Sequence, residues 1–248
     1  MSSDAMAAGT TTITSRQGDE IEAYHAWPTD ADGYGSVVVI HHMPGYDSST
    51  KEIARRFAAH GYGAIVPNLF ARYAPDASPD DAAAAARAVG GVPDAQCLDD
   101  VAGAMAFLRG QPGSNGKVAT IGYCSGGRQS YLSACNLDLN AAVDCYGGGV
   151  VVTPDQLTPE RPVAVIDMTK DLACPLLGLF GAEDAHPSPE HVAQMEEELQ
   201  RHAKTYEFHS YEGAGHGFFW VERPSYRAEA ARDGWHQIWD FFGRHVAS

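Results

Sequence analysis

The sequence predicts an α/β fold: a doubly wound, mainly parallel sheet with helices on both faces. Three observations carry that prediction. Short apolar runs of the kind buried in parallel sheets alternate with segments whose apolar residues recur at helical spacing. One such run, Lys117-Val118-Ala119-Thr120-Ile121, leads through Gly122-Tyr123-Cys124-Ser125-Gly126-Gly127 straight into a helical segment. No composition shift or low-complexity stretch divides the 248 residues, so a disordered start over 1–10 and a single domain over 11–248 are expected.

The elements follow in order. Thr11 to Ser15 and Ile21 to Trp27 read as a short antiparallel pair, turned at Gly18-Asp19 and placed at the sheet edge. Ser36 to His41 is a continuous apolar run ending in the loop His42-Met43-Pro44-Gly45. Ser49 with Glu52 has the form of a capping box, Ile53 and Phe57 share one helical face, and Gly61 stops the helix. Gly63 to Pro67 is the next strand, completing a βαβ unit. Leu69 to Pro93 is rich in Ala, Asp and Pro and reads as an excursion with a short helix. Leu98, Val101, Met105 and Leu108 then define a helix over 98–109. Beyond the elbow, Ala141 to Tyr146, Cys174 to Phe180 and Thr205 to Tyr211 read as strands. Val192, Met195 and Leu199 mark one intervening helix, and Trp235, Ile238, Trp239 and Phe242 mark a C-terminal one.

Composition excludes several function classes. The formal charge of −15 and pI near 5.0 oppose electrostatic binding to nucleic acid or to an anionic membrane. The N-terminus lacks a basic segment followed by an apolar run, and no apolar span is long enough to cross a bilayer. A cytoplasmic enzyme of unassigned oligomeric state is the expectation. The five cysteines, Cys97, Cys124, Cys135, Cys145 and Cys174, show neither a disulfide framework nor Cys-x-x-Cys spacing.

Chemistry concentrates at Cys124. A residue at the apex of a strand-to-helix turn is held in a strained conformation, so Gly122 and Gly126 on either side must be small. Its side chain then projects free of the sheet beside helix N-terminal amides, where developing negative charge is stabilised. This is a nucleophile elbow with cysteine in place of serine. The loops after two later strands supply partners: Gly181-Ala182-Glu183-Asp184 and Glu212-Gly213-Ala214-Gly215-His216-Gly217. Nucleophile, acid, histidine is the chain order of an α/β-hydrolase triad. His216 would take the thiol proton and Asp184 would orient the imidazole, with Glu183 as the alternative acid. Taken singly, Asp184 also reads as a helix cap and His216 as a surface loop residue.

With Gly-Tyr-Cys-Ser-Gly-Gly, Gly-Ala-Glu-Asp, Tyr-Glu-Gly-Ala-Gly-His-Gly-Phe and Pro67-Asn68-Leu69-Phe70-Ala71-Arg72 in hand, the chain resembles the dienelactone hydrolase (carboxymethylenebutenolidase) family of α/β-hydrolases over roughly Ile21 to Phe242. The resemblance implies hydrolysis of a small-molecule lactone or ester through an acyl-enzyme, without metal or cofactor, and an oxyanion hole from the amides of Ser125 and Met43. It also implies substrate contacts at Arg72, which matches a family loop arginine that holds a substrate carboxylate, and at Arg87, which lies in the segment where the family has another; a solvated surface charge is the other reading of each. Tyr146, at its strand end, joins the substrate-binding set. The chain departs from the family at two positions. His42 stands where known members place a glutamate that gates the thiolate, so it either meets the pocket or simply packs and hydrogen bonds. Trp220 stands where an arginine would assist, exchanging a charged fork for an apolar face and favouring bulkier or aromatic acyl groups; Arg223 and Arg227 lie further along. A metal site from His41, His42, His186 and His216 lacks regular ligand spacing and is not assigned. Two alternatives remain: a general carboxylesterase or thioesterase with a pocket walled by Trp220, Phe218 and Phe219, and a non-catalytic redox-sensing thiol protein.

Overall fold

Four strands are buried at every residue: β3 (Tyr34–Ile40), β4 (Gly63–Pro67), β6 (Ala141–Cys145) and β7 (Leu176–Gly181). These are the unbroken apolar runs of the sequence, and the computed structural model, which describes residues 5–247, pairs them in parallel, β3 with β4 and β6 with β7. The other strands are β1 (Met6–Thr14), β2 (Glu20–Pro28), β5 (Ser114–Tyr123) and β8 (Tyr206–Tyr211). The sheet order is β1-β2-β4-β3-β5-β6-β7-β8, with β8 parallel to β7 and β2 antiparallel to both β1 and β4. The α-helices are α1 (Ser48–Ala59), α2 (Pro79–Ala88), α3 (Asp94–Arg109), α4 (Ser125–Asn136), α5 (Pro189–Arg201) and α6 (Ala228–His245). The chain divides into two compact units, one running to Thr120 and rejoined by Val246, the other Ile121–His245.

In the first unit, the expected disordered start is corrected. β1 begins at Met6, which lies opposite Pro28, while residues 1–4 fall outside the described residues. An edge strand needs only ladder hydrogen bonds to its neighbour, and β1 buries a single side chain, Ile13, so no hydrophobic pattern announces it. The cap of α1 is also corrected. The helix starts at Ser48, which places Ser49 inside the first turn; Asp47 is the N-cap and its Oδ1 accepts the Thr50 amide at 2.7 Å. Glu52 instead pairs with Arg55. Likewise α3 begins at Asp94, directly after Pro93, four residues ahead of its apolar stripe.

Arg72 has a structural task in this unit. Its guanidinium makes a bidentate fork to Asp100 of α3, at 2.9 Å to each oxygen, and donates twice more to Asp19 in the β1–β2 turn at 2.8 and 3.1 Å. Asp100 is fully buried, and burial raises its carboxyl against the lowering effect of the Arg72 bonds. The expectation that Arg72 holds a substrate carboxylate is therefore corrected: its fork is already committed, because a carboxylate buried on α3 requires a counter-charge.

In the second unit, α4 packs on β6, and α6 packs on β6 and β7 with Ile238, Phe241 and Phe242 buried. Phe218 and Phe219 are core residues, stacked at 4.7 Å, and Phe219 meets Trp235 edge-on. They belong to the interior of this unit rather than to an open wall.

Replacing Arg72 by methionine keeps the packing stem but strands a buried carboxylate. Chemical denaturation is expected to show a loss of about 3 kcal/mol, with KM for a carboxylate-bearing substrate unchanged.

Candidate active site

β5 ends at Tyr123 and α4 begins at Ser125, which leaves Cys124 to make the whole turn, with φ 57° and ψ −121°. A non-glycine residue in that region is strained and must be held from several sides. The Cys124 amide donates to the Cys145 carbonyl at the end of β6 (3.0 Å), and its carbonyl accepts the Gly127 amide (3.0 Å). A Cβ on Gly122 would fall onto the Gly126 carbonyl, so the strand and helix meet backbone to backbone. Cys124 is half-buried, whereas the other four cysteines are buried. Ser125 occupies the first position of α4, where helix geometry supplies no carbonyl behind the amide.

Asp184 follows β7, and His216 follows β8. The two loops are tied by main-chain bonds, Ala182 N–H to the Tyr211 carbonyl at 3.0 Å and Glu183 N–H to the Ala214 carbonyl at 2.9 Å. Gly181 allows this approach, since a Cβ there would strike the Ala214 carbonyl. His216 Nδ1–H donates to Asp184 Oδ2 at 2.8 Å, and Asp184 Oδ1 accepts the His186 amide at 2.8 Å. Asp184 is buried and Glu183 exposed, so the structure brings Asp184 to the imidazole and leaves the alternative acid outside. The cap of α5 is made by Ser188, not by Asp184.

With Nδ1 occupied by Asp184, Nε2 is the nitrogen left for the hydrogen bond between His216 and Cys124. Burial alone would lower the His216 pKa, but the hydrogen bonds to Asp184 and Cys124 and the negative charge of both outweigh it and raise it from 6.5 to about 10. The imidazole thus lies between two acidic groups, and both favour its protonated form. Among the described residues, no group of three or more His, Cys, Asp or Glu side chains could hold a metal ion.

Comparison with known proteins decides the family. The model of the dienelactone hydrolase family matches residues 21–246. The chain belongs to the dienelactone hydrolase family. Membership makes it a carboxylic-ester hydrolase with the α/β-hydrolase fold. A protein named "Putative carboxymethylenebutenolidase" from Yersinia pestis is 38% identical over 97% of this chain and 89% of its own length. One of the same name from Escherichia coli (strain K12) is 36% identical over 98% of this chain and 89% of its own length. The crystal structure of a "Putative Dienelactone Hydrolase" from Klebsiella pneumoniae subsp. pneumoniae MGH 78578 superposes with a TM-score of 0.87 at 33% identity, covering 97% of this chain and all of that one.

The remaining expected site residues of this dienelactone hydrolase family member divide sharply. Tyr146, expected to bind substrate, is fully buried; it adopts φ 43° just after β6 and lays its ring edge-on to His216 at 5.1 Å. A ring closed to solvent and packed on the imidazole corrects the expectation that Tyr146 binds substrate. Trp220 is half-buried, 5.9 Å from the Tyr123 ring, with its indole beside the Tyr146 hydroxyl. His42 is also corrected: it is 4% exposed and its Nε2–H donates to Asp47 Oδ2 at 2.8 Å. Burial disfavours the ionised Asp47, but the bonds from His42 and the Thr50 amide hold its carboxyl below the ordinary carboxylate range. His41 is fixed by its own bonds, Nδ1–H to the His42 carbonyl at 2.9 Å and Nε2 accepting the Leu69 amide at 3.2 Å; burial lowers its pKa to about 4. Met43 is half-buried in the loop between β3 and α1, and Arg87 is exposed in the last turn of α2. Arg227 donates to the carbonyls of Gly213, Pro224 and Tyr226 and thereby binds the histidine loop, while Arg223 is exposed. Asp47, Asp100 and Asp144 escaped the sequence reading. Their signals were a carboxylate just before a helix start and lone acids at buried positions of a helix and a strand.

The raised His216 pKa makes stability depend on pH. The folded protein keeps that proton to about pH 10, the unfolded chain only to 6.5. Its stabilisation is complete below pH 6.5 and lost as pH rises towards 10. Urea denaturation across that range should show wild-type stability falling more steeply than that of His216→Asn.

Proposed function

We propose that the protein hydrolyses a lactone or enol ester through an acyl-cysteine intermediate, with Cys124 as nucleophile, His216 as acid and base, and Asp184 as the group that orients His216. The observation that carries this reading is one imidazole hydrogen-bonded to both the elbow cysteine and a buried aspartate. The Cys124 thiolate attacks the substrate carbonyl carbon, and the oxyanion is held by the Ser125 amide, with Met43 as the second donor that the family resemblance assigns. When the intermediate collapses, the C–O bond breaks and His216 passes its proton to the leaving oxygen. Water then attacks the thioester, His216 takes a proton from it, and the acid and the thiolate are released.

A thiolate is itself a good leaving group, so an acyl-cysteine reverts readily if the released alcohol stays in place. An enol that rearranges to a ketone removes that return path. This is the chemical reason for favouring lactones and enol esters over plain alkyl esters.

A second reading gains support from two observations. Arg72 is committed to Asp100 and Asp19, and Trp220 occupies the position of a family arginine. Both favour a neutral or aromatic acyl group, as in a general carboxylesterase or thioesterase.

Steady-state hydrolysis of a dienelactone and of a neutral nitrophenyl ester, run in parallel on wild type and Cys124→Ala, tests both readings. Loss of about 10⁴-fold or more in kcat on either substrate is expected for the variant. Equal rates in the two proteins would exclude Cys124 as the nucleophile. The preferred substrate of the wild type separates a carboxylate-reading lactonase from a neutral esterase.

A further inference from the structure

Asp144 lies on β6 among Val143 and Cys145 and is fully buried. An apolar residue would suit that strand at less cost, because a carboxylate taken out of water needs compensating bonds. Asp144 has one: its Oδ1 accepts the Gly147 amide at 2.7 Å, closing a turn over Asp144-Cys145-Tyr146-Gly147. Its Oδ2 has no hydrogen-bond partner among the described residues.

That turn touches the candidate site twice. The Cys145 carbonyl accepts the Cys124 amide at 3.0 Å, so it helps hold the nucleophile in its strained conformation. Tyr146, whose amide donates to the Leu179 carbonyl at 2.9 Å, is held at φ 43° with its ring 5.1 Å from the His216 ring. A tyrosine does not adopt a left-handed conformation unless its surroundings impose it.

Glycines on both sides let the carboxylate into this position. A Cβ on Gly127, in the first turn of α4, or on Gly147 would run into Asp144 Oδ1. The carboxylate thus sits against the N-terminal turn of the elbow helix, where the helix dipole favours negative charge.

We infer that Asp144 is a positioning residue for the Cys124–His216 pair, acting through the turn it closes at Gly147. The inference deepens the reading above and rests on it for its effect on turnover. Burial pushes the Asp144 carboxyl up to about 7 against the lowering effect of the Gly147 bond. The turn needs only an acceptor at that oxygen, so a neutral side chain that keeps one should suffice.

The test compares Asp144→Ala and Asp144→Asn for ester turnover and for the rate at which iodoacetamide alkylates Cys124. In the alanine variant, kcat and the alkylation rate should each fall by about 10²-fold, with KM within about two-fold of wild type. Asparagine, which retains the acceptor, should restore most of both. An alanine variant that matches wild type in both rates overturns the inference, as does an asparagine variant that loses as much as alanine. Alkylation reports the elbow whether or not any ester is hydrolysed; failure of the hydrolase reading would abolish turnover in wild type and leave the alkylation comparison intact. If alanine does not fold, amide exchange in wild type decides: protection of Gly147 equal to that of the β6 amides supports the closed turn, and rapid exchange overturns it.

Discussion

A cysteine held at φ 57° between a strand and a helix costs on the order of 1–3 kcal/mol, and much of the second unit is arranged so that this cost is met. Gly122 lets the turn close on the Gly126 carbonyl. The end of β6 supplies a carbonyl to the Cys124 amide. The first turn of α4 starts directly beyond, so the strain places a thiol beside unbonded amides. Relaxing the turn would return the side chain to the sheet surface, where neither His216 nor those amides would meet it.

Buried carboxylates are the second recurring constraint, and the fold answers each one differently. Asp100 receives a bidentate arginine, which fixes the loop after β4 and the β1–β2 turn to α3. Asp184 receives an imidazole and the His186 amide, so its charge is balanced by a group that can also move protons. Asp144 receives a single amide. The same chemical need thus yields a rigid clamp in one place and a titratable pair in another, according to whether the partner has a pKa within reach of neutrality.

Much of this was legible in the sequence, and the reasons are local. The buried strands announce themselves as unbroken apolar runs, and the elbow as small residues around a cysteine between a strand and a helix. The pairing of Asp184 with His216 was legible because loops at the ends of neighbouring strands meet in such sheets. What escaped was the competition among partners. Nothing in Pro-Asn-Leu-Phe-Ala-Arg says that Arg72 meets a buried Asp100 twenty-eight positions later, and nothing local says that His42 finds Asp47 before any ligand. Tyr146 lay correctly at a strand end, but the direction of its ring depends on a positive φ that the sequence of a non-glycine residue does not advertise. Edge strand β1 reaches several residues further towards the N-terminus than its side chains announce, because ladder bonds, not side-chain burial, hold it.

The raised pKa of His216 stands against its proposed second task, since an imidazolium that keeps its proton to about pH 10 is a poor base for activating water. The causes of the shift resolve the conflict. Part of it comes from Asp184, which is present throughout, and part from Cys124, through both a hydrogen bond and its negative charge. Once the sulfur is acylated it carries no charge, and that part of the shift disappears. On the proposed mechanism, His216 therefore begins as an acid charged with the proton that the leaving oxygen needs. After delivering it, the same ring has a lower pKa when water arrives. Asp184 keeps it in the required tautomer through both halves, so a single imidazole serves as acid and then as base because the nucleophile itself changes charge.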